Sequence, residues 1–248
     1  METTDAAVLG VDLAWGPRAR TGLAVLGADG ALMASATVRT DEEIAQFVAG
    51  WRERLAVVAV DAPLIVRNAS GRRPCEAQVA ADFARFHAGP YPSNTSLPHF
   101  DPPRAATLAA RLGWVPDPAV APRPGRPVCL EVFPHPATVS LFGLERVLPY
   151  KARAGRSLAV RRDAAALLVG LVEDRLGPTL RPGASPRWRE LRAAVESAAR
   201  PVDLRRVEDE IDAVVCGYVA WRWLRTPEQL RVYGDAGSGF IVTFPPPG

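Results

Sequence analysis

The sequence predicts an α/β fold in which a mixed sheet, with the core order β-β-β-α-β, is flanked by helices. Two short apolar runs rich in valine, residues 7–14 and 55–61, are typical of strands buried on both faces. Turn residues divide the region before residue 40 into three strands, and a stretch with helical spacing separates them from the second run. A helical crossover of this kind predicts that the strands on either side of it are parallel.

The first quarter of the chain supplies this core. Gly16-Pro17 marks the first turn, and Ala28-Asp29-Gly30 is a hairpin signal. Thr40 precedes three acidic residues, a pattern typical of a helix N-terminus, and the helix is expected to end near residue 54. The strands are predicted at 7–14, 21–27, 31–38 and 55–61.

A proline-rich insertion is predicted after the fourth strand, at about 66–127. Two helical stretches are expected, near 75–87 and 103–112. Because the insertion follows Asp61 directly, we expect it to pack beside that end of the sheet, where substrate loops often lie. Its polar stretch 89–98 is expected to be among the more mobile parts of the chain.

The remaining sequence adds one buried strand, several helices and a closing hairpin. A proline- and glycine-rich break is expected at 177–187, and no internal repeat is apparent, so residues 1–248 are interpreted as a single domain. The strand is predicted at 128–133, the helices at 137–143, 157–176, 187–199 and 207–225, and the hairpin at 232–235 and 239–244.

Composition indicates an ordinary globular protein. The chain has 248 residues, of which 48% are hydrophobic and 23% are charged. No apolar run approaches the roughly 20 residues that cross a bilayer, and the acidic N-terminus lacks a signal-peptide pattern, so a cytoplasmic protein without a membrane partner is expected. Three distant cysteines predict neither a disulfide framework nor a zinc site. The net charge of +3 comes almost wholly from arginine, with Lys151 the only lysine, and this bias indicates genome composition more than a nucleic-acid surface.

Four aspartates are the main candidates for a functional site. Asp12 and Asp61 lie at the ends of the two valine-rich strands, and the carboxyl ends of parallel strands are where ligands bind in open α/β sheets. Asp209 and Asp212 are three residues apart, so they share one face of the late helix. Asp209 is also explained as a first-turn acid favoured by the helix dipole, whereas Asp212 lies in an apolar run and needs a partner.

Glu131 has two interpretations of equal weight. It lies between Leu130 and Val132 in a predicted buried strand, so it is either a fifth ligand or the partner of an arginine. Four or five carboxylates without a zinc-type histidine or cysteine set favour a hard cation, Mg²⁺ or Mn²⁺. His135, in the turn after this strand, is either a general base or ligand or, more simply, a structural turn residue.

The order of these elements and acids resembles the ribonuclease H-like fold, as found in RuvC-type resolvases. More closely, the chain resembles the family called domain of unknown function 429, regarded as a set of predicted ribonuclease H-like nucleases. The resemblance spans most of the chain and is weakest at 77–127 and 144–200. It is carried by Gly10-Val11-Asp12, Val60-Asp61-Ala62-Pro63-Leu64, Arg73-Pro74-Cys75-Glu76, Glu131-Val132-Phe133-Pro134-His135-Pro136 and Asp209-Glu210-Ile211-Asp212-Ala213.

The resemblance implies a metal site formed by Asp12, Asp61, Asp209 and Asp212. This sequence has Glu76 where that family tends to have aspartate, which leaves the role of the segment 73–76 open. The implied activity is Mg- or Mn-dependent cleavage of a phosphodiester, in DNA, RNA or a nucleotide, with Glu131 as a further candidate for the catalytic set.

Two other functions remain as alternatives. An actin-like or sugar-kinase-type phosphotransferase also carries an acid on its first strand, but Asp12 is followed by Leu-Ala-Trp-Gly and not by a glycine-rich phosphate loop. A non-catalytic binding module on a nuclease-like scaffold is the other, because fold does not fix function. The sequence does not specify the oligomeric state.

Overall fold

Residues 5–16 and 19–248 are described by a computed structural model of the chain. The predicted turn at Gly16-Pro17 and the N-terminal pattern at 1–5 lie partly outside the described residues. None of the helices in these ranges combines the length and the apolar character that crossing a membrane requires. The strands of the main sheet are β1 (Ala7–Asp12), β2 (Thr21–Gly27), β3 (Leu32–Val38), β4 (Leu55–Val60) and β5 (Val128–Glu131).

The main sheet is mixed and has the strand order β3-β2-β1-β4-β5. The first three strands form an antiparallel meander, and β1, β4 and β5 are parallel to one another. The helical crossover between β3 and β4 therefore returns the chain to the other side of β1, as the sequence predicts. Because β4 lies in the middle of the parallel half, all six of its residues are buried.

Helices account for most of the remaining chain. The predicted helices are present, with boundaries that differ by a few residues, and α6 and α8 were not predicted. The helices are α1 (Asp41–Ala49), α2 (Pro74–Phe83), α3 (Arg104–Leu112), α4 (Pro134–Phe142), α5 (Leu158–Leu171), α6 (Gly177–Leu180), α7 (Pro186–Glu196), α8 (Pro201–Arg205) and α9 (Glu208–Arg225).

Local chemistry explains where these helices begin. Thr40 caps α1 through its hydroxyl, and the carboxylate of Glu43 returns to the backbone of Thr40, the capping box that the sequence indicated. Helix α4 begins at Pro134, three residues before its predicted start, because proline is favourable in the first turn of a helix and does not only stop a strand. The expected break at 177–187 likewise contains α6, which has a proline in its first turn.

The C-terminal hairpin consists of β6 (Arg231–Asp235) and β7 (Gly239–Thr243), as predicted. Its inner residues pack with α2 in a small apolar cluster that is separate from the main core. Val242 also forms a bridge to Val132, just beyond β5. The hairpin and α2 therefore lie beside the end of the sheet at which the predicted site residues occur.

Candidate functional site

Asp12 and Asp61 occupy equivalent positions at the carboxyl ends of adjacent parallel strands. Asp12 is the last residue of β1, and Asp61 follows the last residue of β4. Val11 is paired with Val60, and the Asp61 N–H donates to the Val11 carbonyl oxygen at 2.8 Å. The register therefore places the two aspartates side by side, as expected from the sequence.

Two glycines allow α9 to lie directly against this end of the sheet. A Cβ built on Gly10 would stand 2.1 Å from the Ala213 carbonyl oxygen, and one built on Gly22 would stand 1.9 Å from the Asp209 carbonyl oxygen. Gly22 is paired with Asp12 across β1 and β2. The missing side chains let the helix backbone approach the strands, and this close approach brings the α9 acids to Asp12.

Three carboxylates converge on the ammonium of Lys151. Its Nζ lies 2.9 Å from Oδ2 of Asp12 and 3.0 Å from Oδ1 of Asp209, and it donates a hydrogen bond to each. It also lies 2.7 Å from Oδ2 of Asp212. The Asp212 side chain is 1% exposed and that of Lys151 is 27% exposed, so the cluster is closed beneath Asp212 and open beside Lys151.

Tyr150 holds one oxygen of Asp212 by a hydrogen bond, and Lys151 holds the other by charge. Tyr150, which is buried, donates its hydroxyl to Oδ1 of Asp212 at 2.7 Å. Oδ2 receives no aligned hydrogen bond, so its contact with Lys151 is an ion pair without hydrogen-bond geometry. A buried carboxylate oxygen in this state is an acceptor aimed into the cluster with its hydrogen-bonding capacity unused.

Burial dominates the electrostatics of the four aspartates. It raises the pKa of Asp12 to about 6, against the opposing effect of Lys151 and with a further rise from Asp212. Burial, followed by the charge of Asp12, also raises the pKa of Asp209 to about 6. The pKa values of Asp61 and Asp212 are raised by the same desolvation.

For Lys151, unlike the aspartates, the surroundings favour the charged form. Burial disfavours its charge, but the carboxylates of Asp12, Asp212 and Asp209 together outweigh that cost and raise the pKa of the ammonium well above its usual value. Lys151 is therefore protonated at neutral pH. One ammonium faces more than one carboxylate charge, so the cluster retains a negative excess that favours a cation of higher charge.

The oxygen donors of this cluster are of the kind that binds a hard divalent cation. Aspartate oxygens are the ligands that Mg²⁺ and Mn²⁺ prefer, and the unused Oδ2 of Asp212 supplies an acceptor for one. In this conformation, however, no group of three or more His, Cys, Asp or Glu side chains among the described residues is arranged to hold a metal ion. The ammonium of Lys151 takes the position at which the carboxylates converge.

Glu131 belongs to a second charged cluster. It is the last residue of β5 and not a mid-strand residue, and Arg73 donates to both of its oxygens, at 2.9 and 2.5 Å. The structure thus shows the arginine partner, one of the two interpretations of Glu131. Glu76 accepts from the side chain and backbone of Arg73 and from the Ser93 N–H. A glutamate at position 76 therefore caps α2 and joins Arg73 to the stretch 89–98 of the insertion.

A cavity lies beside Asp61 and the Arg73–Glu131 cluster. Its volume is about 440 Å³ including the open mouth, and its lining includes Asp61, Arg73 and Glu131. Tyr91 of the insertion also lines it, which confirms that part of the insertion packs beside the acidic end of the sheet. Trp15, which is 48% exposed and stacks on His99, borders the same cavity.

His135 lies in the first turn of α4, near the charges of Lys151 and Arg156. Burial, with the nearby charges of Lys151 and Arg156, lowers the pKa of its imidazole to about 3. Its ring packs against Phe133 and Tyr150. His135 is therefore neutral at physiological pH and holds Tyr150 by packing.

Residues 10–237 match the model of a protein family described as a protein of unknown function, DUF429. The chain belongs to the DUF429 family. The DUF429 match includes the four aspartates, Lys151 and the Arg73–Glu131 pair. The chain matches no curated protein and no solved structure.

Lys151 is the residue of this candidate site that sequence reasoning missed. It precedes α5 in a segment without helix or strand, so neither periodicity nor a strand end marked it. Its rarity was noted but attributed to composition. A single lysine among 30 basic residues was nevertheless the available signal.

Proposed function

We propose that this protein is a Mg- or Mn-dependent phosphodiester hydrolase acting on nucleic acid. The observation that carries the proposal is the convergence of Asp12, Asp209 and Asp212 on one cation position, with an oxygen of each within 3.0 Å of the Lys151 Nζ. Carboxylates this close repel one another unless a cation lies among them or some of them are protonated, and a divalent ion meets their charge better than one ammonium does.

The fold gives independent support to this proposal. The strand order β3-β2-β1-β4-β5, with an antiparallel meander followed by parallel strands, agrees with a ribonuclease H-like arrangement. Asp12 on the central strand and the acids on α9 agree with a site at the carboxyl end of the sheet. The sequence resemblance to predicted nucleases points in the same direction.

Each acid has a distinct role in the proposed site. Asp12, Asp209 and Asp212 would hold the cation, and Tyr150 fixes the orientation of Asp212 through its hydroxyl. Asp61 lines the cavity next to Asp12 and would accept a hydrogen bond from a water of the cation shell. The bound cation would supply a water of lowered pKa and charge stabilisation at the phosphate.

Cleavage assays with labelled single- and double-stranded DNA and RNA test this function. We expect cleavage that requires Mg²⁺ or Mn²⁺ and is lost in Asp212→Asn. The control is Asp41→Asn, which removes an aspartate that pairs with Arg104 outside the cluster. Metal-dependent cleavage that survives in Asp212→Asn would contradict the proposed site.

Lys151 also favours a second function, the non-catalytic binding module. If the ammonium is the permanent partner of the acids, the cluster is an ion-pair network that stabilises the fold. A protein that binds neither Mg²⁺ nor Mn²⁺ at millimolar concentration, by isothermal titration calorimetry, would support this second function against the first.

A further inference from the structure

Lys151 is set apart from every other basic residue of the chain. Of the 30 lysine and arginine residues, 29 are arginine, and arginine forms all the other ion pairs that the structure describes. The one lysine lies where three carboxylates meet. An ammonium is a compact point charge on a flexible four-carbon stem, whereas a guanidinium is a broad planar fork. The site therefore uses the cation that most resembles a small metal ion in size.

Separate hydrogen bonds hold the backbone at Lys151, independently of the carboxylates that hold its ammonium. Arg161 donates to the carbonyl oxygen of Tyr150 at 3.0 Å, and Arg156 donates to the carbonyl oxygen of Lys151 at 3.0 Å. The Lys151 side chain is partly exposed, so its outward path is open to solvent. The ammonium is able to leave the carboxylates by rotation about its own stem, without movement of the segment that carries it.

We propose that Lys151 is an exchangeable internal cation: its ammonium and a divalent ion occupy the same carboxylates in turn, and the displaced ammonium then binds a phosphate of the substrate. This proposal rests on the proposed function and adds a means of regulating it. Both cations cannot share the position, because Asp12, Asp209 and Asp212 each already direct an oxygen to within 3.0 Å of Nζ.

The exchange couples metal binding to anion binding. In the metal-free state the three carboxylates neutralise the ammonium, which leaves it little attraction for a phosphate. Once displaced, Lys151 presents an unpaired charge at the open side of the cluster. By linkage, an anion that binds the released ammonium must tighten metal binding by the same factor.

The single lysine provides a direct test by nuclear magnetic resonance. In a chain labelled with [¹³C]lysine, the side-chain signals belong to Lys151 alone. We expect Mg²⁺ to shift the Cε–Hε signal saturably, and NaCl at equal ionic strength to leave it in place. Inorganic phosphate is then expected to shift the signal in the presence of saturating Mg²⁺ and not in its absence. If Mg²⁺ leaves the Cε–Hε chemical shift unchanged while calorimetry detects Mg²⁺ binding, the exchange is overturned. If phosphate leaves the chemical shift unchanged both with and without Mg²⁺, the anion-binding step is overturned.

A variant pair provides the second test. Lys151→Gln removes the competing cation, so its dissociation constant for Mg²⁺ is expected to fall about tenfold or more. The control Arg153→Gln removes one positive charge from an exposed position in the same segment and is expected to bind Mg²⁺ as the unmodified protein does. Equal Mg²⁺ affinity in all three proteins overturns the exchange and leaves the proposed function standing. Failure of both the unmodified protein and Lys151→Gln to bind Mg²⁺ or Mn²⁺ overturns the proposed function itself.

Discussion

Gly10 lies against the backbone of α9 so closely that a Cβ on it would stand 2.1 Å from the carbonyl oxygen of Ala213. The same Cβ would stand 2.1 Å from the backbone nitrogen of Gly217. Both obstacles are backbone atoms, which cannot rotate away as a side chain can. The contact between β1 and α9 therefore sets the distance between Asp12 and the acids of the helix.

Gly10→Ala is expected to separate α9 from β1 and to lower the free energy of unfolding by about 3 kcal/mol, because overpacking against backbone forces the helix to shift. Affinity for Mg²⁺ should fall with it, since the acids of α9 move away from Asp12. The control is Gly50→Ala, at a helical φ of −68° with nothing within 4 Å of the new Cβ. It should be neutral or slightly stabilising in urea unfolding. Equal stability of Gly10→Ala and the unmodified protein would show that α9 does not need this approach.

Asp12→Asn is expected to abolish metal-dependent cleavage while leaving metal-free stability unchanged or higher. The raised pKa of Asp12, about 6, means that its surroundings disfavour the charge at pH 7.5, and an amide oxygen still accepts from Lys151. Asp41→Asn is the contrasting variant, because it weakens a pairing with Arg104 and should cost about 1 kcal/mol. Thermal melts with and without Mn²⁺ measure both effects. A large loss of metal-free stability in Asp12→Asn would mark Asp12 as structural.

Glu131→Gln is expected to lower the free energy of unfolding by about 2–4 kcal/mol without changing affinity for Mg²⁺. The change leaves the buried guanidinium of Arg73 with only Glu76 as a charged partner. Glu145→Gln, at an exposed position, serves as the control and should be near neutral. Unchanged stability together with weaker Mg²⁺ binding would instead assign Glu131 to the metal site.

In His135→Gln, the free energy of unfolding is expected to fall less steeply than in the unmodified protein as the pH is lowered from 6.5 to about 3. The folded-state pKa of His135 is lowered from 6.5 to about 3, so the unfolded chain binds the proton more readily within that window. Its contribution to stability is present above pH 6.5 and is lost as the pH falls through about 3. The expected difference between the two proteins is on the order of 3 kcal/mol at pH 4, from urea unfolding at several pH values. Parallel pH profiles would show that His135 is not kept neutral by the fold.

Sequence reasoning predicted the sheet because its signals are local. Valine-rich runs mark β1 and β4, and the helical stretch between 40 and 54 fixes their parallel direction. The placement of Asp12 beside Asp61 follows from that topology alone. The pairing of Glu131 remained open, because its partner Arg73 is 58 residues distant and no local pattern joins them.

No pattern of neighbouring residues indicated the role of Lys151, and its rarity in the composition was the only signal. Lys151 reaches Asp12 across 139 residues and from a segment without regular structure. The close approach of α9 was similarly hidden, because Gly10 and Gly22 within strands give no sign of which backbone they face. Features that depend on three or more distant segments at once lie outside what periodicity and turn chemistry specify.

The position of α9 late in the chain has a consequence for synthesis. The helix covers β1, β2 and β4, all of which precede it by about 150 residues or more. A nascent chain that has not yet emerged beyond residue 207 presents the bare valine-rich face of these strands to chaperones and to other chains. Closure between such distant segments is also intrinsically slow. The final helix therefore ends the interval in which the growing polypeptide is prone to aggregation, and the acidic site is among the last features to form.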